Sequence, residues 1–331
     1  MRKRGFITAV VLFVLYAAVG QGQDSVKFGE PMCIGHGAAP QWSPDGSMLA
    51  FVDSASLYMT TTPEFKERKL IAVDAAPVQW VGNTGFVWRK RITRQHDGER
   101  WDCVYVYTSD LAGNVELLDS DSTYSNSRSF GRIGKLMPSV DGTIAYHEIL
   151  NGDEHNTRPK ILRQTALLKP ASPAAAPRRM AFSRSESGPF GDIWLADLDG
   201  GNQRQVTHGP DTWMWALLSP NQELIATTNH LSQIVFLDTL GITVANAGGA
   251  EVGGWSPDSK RFLTWIGEEG EFEITGSELY IYHIDSQYRQ QLTDTPDLIE
   301  FSPCWSPTGD FIAYAALNTR EIFIIRVEAG K

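Results

Sequence analysis

Basic chemistry in this chain is concentrated in one short stretch. Arg89, Lys90, Arg91, Arg94 and Arg100 fall within residues 89–101 (RKRITRQHDGERW), with His96 and Trp101 beside them. Guanidinium groups grip carboxylates through paired N–H donors. The stretch therefore reads as a clamp for an anionic group, such as the carboxylate of a sugar or of a peptide terminus. Arg89, Arg91, Arg94, His96, Arg100 and Trp101 are the candidate binding residues. The competing reading is a solvated β-hairpin extension whose charges pair internally with Asp97, Glu99 and Asp102. Glu268, Glu269, Glu271 and Glu273 make an acidic counterpart near Phe272.

No catalytic motif accompanies the clamp. The chain lacks a Gly-x-Ser-x-Gly elbow, a His-Glu-x-x-His pair and a glycine loop followed by Lys-Ser/Thr. Asp197-x-Asp199-Gly200 opens like a calcium loop but lacks the downstream glutamate, and Asp119-Ser120-Asp121 is no stronger. His36, His96, His147, His155, His208, His230 and His283 share no local motif. Imidazoles from separate loops can meet at a metal, but the unequal depths of these in their loops favour solvated or hydrogen-bonded roles. No cofactor and no metal are expected.

The elements that would position the clamp show in a repeat. Trp42-Ser43-Pro44-Asp45-Gly46, Leu218-Ser219-Pro220-Asn221, Trp255-Ser256-Pro257-Asp258 and Trp305-Ser306-Pro307-Thr308-Gly309 carry one theme. Proline at the second turn position presets φ, and glycine at the fourth suits a type I turn. Each turn runs into an apolar strand such as residues 48–52 or 311–314, which predicts a hairpin. A third strand follows at residues 192–197 and 279–284, then a short fourth at 203–207 and 289–293. Four antiparallel strands per repeat predict an all-β propeller. Units start near Trp42, Trp80, Met137, Ala171, Leu218, Trp255 and Trp305, giving seven blades, with six as the alternative. The last unit shows only three strands. Val26-Lys27-Phe28-Gly29-Glu30 reads as its missing outer strand, so the N-terminal strand would close the ring and remove an open edge.

Up-down strand order also sorts the connections. Turns between strands one and two, and three and four, share one side and are short. Insertions at residues 89–101, 119–134, 150–159, 184–191, 267–277 and 294–303 fall on the other, as do His96, His155, His208 and His230. Long loops on a rigid scaffold carry function, so binding is expected on that face.

The repeat resembles the WD-like unit of the TolB family of bacterial propellers. Its fullest copy is residues 191–220, with Asp197-Leu198-Asp199-Gly200-Gly201-Asn202 and Val206-Thr207; partial copies lie near Trp80-Val81-Gly82-Asn83, Pro138-Ser139-Val140-Asp141-Gly142 and Ala171-Ser172-Pro173. The resemblance runs from about Phe28 to Val327. It implies a propeller, commonly six-bladed in that family, and contacts with envelope proteins, although the separate α/β domain of TolB has no counterpart here. Oligogalacturonate lyases build a metal site from propeller histidines. They set the alternative: an enzyme acting on an acidic carbohydrate with a metal in its funnel.

Arg2, Lys3 and Arg4 precede an apolar run from Phe6 to Val19, and Ala18-Val19-Gly20 supplies the small residues of a cleavage site. Residues 1–22 thus read as a signal peptide and 23–331 as one propeller domain. Three of the 29 basic residues lie in the leader, so the mature chain would carry 26 against 39 acidic residues, a net charge near −13. That excess disfavours nucleic acid and anionic membrane. Cys33, Cys103 and Cys304 cannot all pair, and blade width separates Cys33 from Cys304, so free cysteines are expected. The expectation is a monomeric periplasmic or secreted module without catalysis. It would recognise an envelope or extracellular protein, or a small anionic ligand.

Overall fold

The computed structural model describes residues 26–75, 78–124, 133–138, 144–150, 153–162, 179–185, 191–270 and 274–328. The leader and the unit start near Ala171 lie outside them. Among the described residues every regular element is a strand, and the strands form seven antiparallel sheets.

Strands β1 (Lys27–Phe28) and β2 (Met32–His36) open the chain. The first sheet orders β3 (Ala38–Trp42), β4 (Met48–Asp53), β5 (Ser56–Thr61) and β6 (Lys69–Ala72). The second orders β7 (Val78–Val81), β8 (Gly85–His96), β9 (Glu99–Asp110) and β10 (Val115–Tyr124). The third holds β11 (Ile133–Pro138), β12 (Ile144–Leu150) and β13 (Asp153–Ile161), and the fourth β14 (Arg179–Arg184), β15 (Asp192–Asp197) and β16 (Arg204–Gln205). The fifth follows with β17 (Trp213–Leu218), β18 (Leu224–Asn229), β19 (Gln233–Asp238) and β20 (Thr243–Gly249). The sixth has β21 (Glu251–Trp255), β22 (Arg261–Glu269), β23 (Ile274–His283) and β24 (Tyr288–Gln291). The last combines β25 (Glu300–Trp305), β26 (Phe311–Ala316) and β27 (Glu321–Glu328) with β1 and β2. First strands touch between the first and second, second and third, fourth and fifth, and sixth and last sheets, and β25 meets β3, so the last sheet returns to the first. The fold is an all-β propeller of four-stranded antiparallel blades.

Closure follows the predicted route and goes further. Phe28 pairs with Val327, and Met32 and Cys33 pair with Ile324 and Phe323. The sequence reading stopped at Glu30; the bulge between Cys33 and Gly35 interrupts the strand alternation and hid β2. At the seam Trp42, Leu49 and Phe51 of the first sheet pack against Ala313, Ile322 and Ile324 of the last.

The Ser-Pro turns repeat down to single atoms. The buried hydroxyls of Ser43, Ser219 and Ser256 donate to the side chains of Asp45, Asn221 and Asp258 and accept from the N–H of Met48, Leu224 and Arg261. Tryptophan adds a latch between blades. Trp42, Trp80 and Trp255 donate their indole N–H to the carbonyls of Cys304, Gln41 and Leu217 in the preceding sheet, at 3.2, 2.9 and 3.0 Å. Fourth-strand threonines repeat as well. Thr207 and Thr293 accept from the N–H of Ile193 and Leu279, while Gln205 and Gln291 donate to the threonine carbonyls.

Asp258 makes the turn sensitive to acid. Burial raises its pKa, but hydrogen bonds from Ser256, Arg261 and the Lys260 N–H outweigh burial and hold it below the ordinary 3.8. A depressed folded pKa gives stability that is present above the unfolded value and lost as pH falls through the folded one. Asn221 fills the same position in the fifth sheet without titrating. Asp258→Asn is therefore expected to keep the turn and to lose less stability than the parent between about pH 5 and pH 3, by up to about 1 kcal/mol for this partly exposed group. Thermal midpoints of the two proteins across that range check it.

The cysteines are free, as expected. Cys304 sits near the end of β25; its thiol donates to the Pro40 carbonyl, and burial pushes its pKa up to about 12.

Candidate functional site

Alternating β-branched and aromatic residues on either side of Asp97-Gly98 build the site. Asp97 and Gly98 both have positive φ, 50° and 79°, as a two-residue type I′ hairpin turn requires. β8 and β9 run twelve residues each from that turn, in unbroken register from His96↔Glu99 to Gly85↔Asp110. Residues 89–101, counted among the insertions, are the far half of a β-ribbon, as the hairpin-extension reading has it. The dense charges are compatible with a strand because both faces of the ribbon reach solvent. Among the other insertions, 119–124 belongs to β10, and 267–269 and 274–277 extend the β22–β23 hairpin. The other parts of those insertions, 125–132 and 271–273 with Glu271 and Glu273, lie outside the described residues.

A strand turns successive side chains to opposite faces, so the six candidates divide. Arg94, His96 and Trp101 share one face with Lys90, Tyr105 and Tyr107. Arg89, Arg91 and Arg100 lie on the other, with Asp102 and, across β10, Asp119 and Asp121. The predicted six-residue clamp is thus two sites of three. Arg89 also has a structural contact. Burial, and then Arg91, lower its pKa, and its guanidinium donates to the Ile133 carbonyl at 3.1 Å, stitching the second sheet to the third.

The first face has an ordered geometry. Arg94 lies opposite Trp101, with its guanidinium 5.4 Å from the Tyr105 ring centroid. Tyr105 stacks on Tyr107 at 6.3 Å, and Tyr107 on Trp88 at 5.8 Å. Lys90 pairs with Asp74 at 3.0 Å and His96 lies 3.5 Å from Asp97, while Thr93 donates to Asp102 on the opposite face. The result is an aromatic ladder edged with cations. At its base lies a groove of about 470 Å³, walled by Leu70, Val73, Trp88, Lys90, Tyr107 and Val115. Charge clustering made the stretch visible in the sequence, whereas the tyrosines of β9 carried no signal beyond strand alternation.

Among the described residues the histidine side chains do not group at a metal-like site. His96, His208 and His230 are exposed, His36 meets the Arg320 carbonyl, and His283 is buried against Gln290. The His147 and His155 side chains lie outside the described residues. Among the described residues no three His, Cys, Asp or Glu side chains group as a metal would need. Asp197 and Asp199 instead hold their own turn, bonding Asn202 and the Gly201 N–H.

One buried carboxyl was missed. Residues 294–303 read as an insertion, yet Glu300 begins β25 and has no exposed surface. Thr293 and Thr295 donate to its two oxygens at 2.5 and 2.8 Å. Burial raises its pKa more than those hydroxyls lower it, and Glu278 adds repulsion. With a raised folded pKa, its contribution is whole below the unfolded value near 4.5 and is lost as pH climbs through the folded one. Glu300→Gln is expected to melt higher than the parent at about pH 8 and to converge with it near pH 4. Melting curves at both pH values decide it, and a gap that widens toward acid would refute it.

No family model matches the chain. No curated protein matches it either. Among solved structures, Hsv2 of Kluyveromyces lactis aligns at 10% identity over 89% of this chain and 98% of that one, with a TM-score of 0.52. A protein assigned as TolB from Agrobacterium tumefaciens aligns at 18% identity over 88% and 90%, with a TM-score of 0.46. An oligogalacturonate lyase from Vibrio parahaemolyticus aligns at 14% identity over 88% and 77%, with a TM-score of 0.42. At 10% identity the likeness to Hsv2 speaks to the fold alone.

Proposed function

We propose that the protein is a seven-bladed, TolB-like propeller of the periplasm or the extracellular space that recognises an anionic partner or ligand without converting it chemically. The seven sheets support the blade number. The observation that carries recognition is the cation–aromatic face of the second sheet, where Arg94, His96 and Trp101 stand beside Tyr105 on a ribbon of twelve-residue strands. A guanidinium held over an aromatic ring is pre-oriented, so less of its freedom is lost when it meets a carboxylate.

The test compares the parent with Arg94→Ser/Trp101→Ala, each immobilised and exposed to envelope extract. Loss of a cation and an aromatic anchor should weaken capture about tenfold or more. Equal recovery would remove the face from the reading, and turnover of oligogalacturonate by the parent would replace the non-catalytic part.

A further inference from the structure

We infer that the anionic ligand is a long-chain carboxylate, its head at Arg94 and its alkyl chain laid past Tyr105 and Tyr107 into the groove between the first and second sheets. This rests on the recognition face proposed above and names the class of ligand that the face would take.

The groove supplies an apolar seat. Leu70, Val73 and Val115, 51%, 66% and 52% exposed, leave aliphatic surface open across the joint between the two sheets, and buried Ile71 and Trp88 complete the lining. Its volume of about 470 Å³ is that of a small-molecule site. Two contacts set the joint. Lys69 of β6 donates to the Leu111 carbonyl at 2.8 Å, and Gly113, at a φ of 92°, leaves room where a Cβ would stand 3.0 Å from the Ile71 carbonyl. A seat shaped before binding loses less freedom when it is filled. The charged side chains of the lining, Lys90 and Asp74, pair with each other at 3.0 Å. The groove therefore favours an occupant that brings neither charge nor hydrogen-bonding groups.

The path out of the groove is aromatic and ends at a cation. From Tyr107 in the wall, steps of 6.3 Å to the Tyr105 ring and 5.4 Å to the Arg94 guanidinium lead along one face of the ribbon. Leu117, Ser120 and Ser122 of β10 lie opposite Tyr107, Tyr105 and Cys103, so β10 adds an aliphatic side chain and two hydroxyls to that face and turns Asp119 and Asp121 to the other. Arg94 is exposed, and its ring contact with Tyr105 leaves the guanidinium N–H groups to meet a carboxylate.

An alkyl chain suits this path better than a peptide. Main-chain groups of β9 are taken up by β8 and β10, so the face offers side chains alone. Peptide amides laid on those rings would lose water without gaining partners. Charge argues against a bilayer as the source. A single carboxylate meets the local cation, whereas an anionic membrane meets the whole chain, whose net charge is −10. The occupant is therefore the free carboxylate.

Calorimetric titration with hexanoate, octanoate, decanoate and dodecanoate, each kept monomeric, tests this. Every CH₂ that enters the groove should tighten the dissociation constant about twofold or more. Decanol and decylamine should bind about tenfold or more weakly than decanoate. Val73→Glu and Leu70→Ser, both at exposed positions, should flatten the dependence on chain length, while Arg94→Ser/Trp101→Ala should weaken every chain about tenfold. Affinity independent of chain length, decanol bound as well as decanoate, or both groove variants binding like the parent would overturn the inference. So would binding seen only with phosphatidylglycerol vesicles, or a peptide with a free carboxyl terminus bound more tightly than dodecanoate. If dodecanoate fails to bind while capture from envelope extract still depends on Arg94 and Trp101, this inference falls and the recognition face stands.

Discussion

Removal of residues 26–36 is expected to open the ring and turn a well-behaved protein into an aggregating one. β27 would keep β26 but lose β1 and β2 on its outer side, exposing main-chain groups that now pair from Lys27↔Glu328 to His36↔Glu321. The cost is not confined to hydrogen bonds, since Phe28 and Ile34 pack on the two clusters that flank the last sheet. Taking about 2–4 °C per kcal/mol for a large domain, loss of several kcal/mol should lower the thermal midpoint by about 10 °C or more. Size-exclusion chromatography and melting curves decide it. A truncated protein that stays monomeric and melts with the parent would refute ring closure as a source of stability.

Trp255 offers a second large effect, with two components that substitution can separate. Its ring is buried edge-on against Phe236 and Phe262, with centroids at 5.4 and 5.1 Å, while its N–H holds the Leu217 carbonyl of the preceding sheet. Trp255→Ala is expected to cost about 3–5 kcal/mol from the void alone. Trp255→Phe keeps an aromatic ring and removes the donor, for about 1 kcal/mol plus any repacking. Urea denaturation of the two variants should therefore differ by at least about 2 kcal/mol. Equal losses would mean that the latch, not the ring, holds the sheets together.

Much of the scaffold was legible because its signals are local. Ser-Pro-Asx turns, strand alternation and the Asp-Gly-Gly turn each lie within a few residues, and the hydrogen bonds of Ser43, Ser219 and Ser256 close over the same short span. What escaped depends on neighbours in space. The indole latch needs the carbonyl of a sheet about 40 residues away, as between Trp255 and Leu217. Arg89 looks like a ligand residue until Ile133 is brought beside it. The clamp misled for a different reason. Asp97-Gly98 fits the hairpin-extension reading, but the clamp reading set all six side chains on one ligand, and only the strand period reveals that Arg91 and Arg94 face apart. Glu300 was hidden by Pro303, whose strand tolerates it beside a bulge where Ser302 takes a positive φ of 53°.

The pairing of Phe28 with Val327 also imposes an order on folding. Phe28 must wait, unpartnered, until Val327 about 300 residues later has been made, so every sheet between them has to be present before the wheel can lock. Loop closure over so long a span is slow, and a prematurely terminated chain would hold a stack of blades with nothing to fasten them.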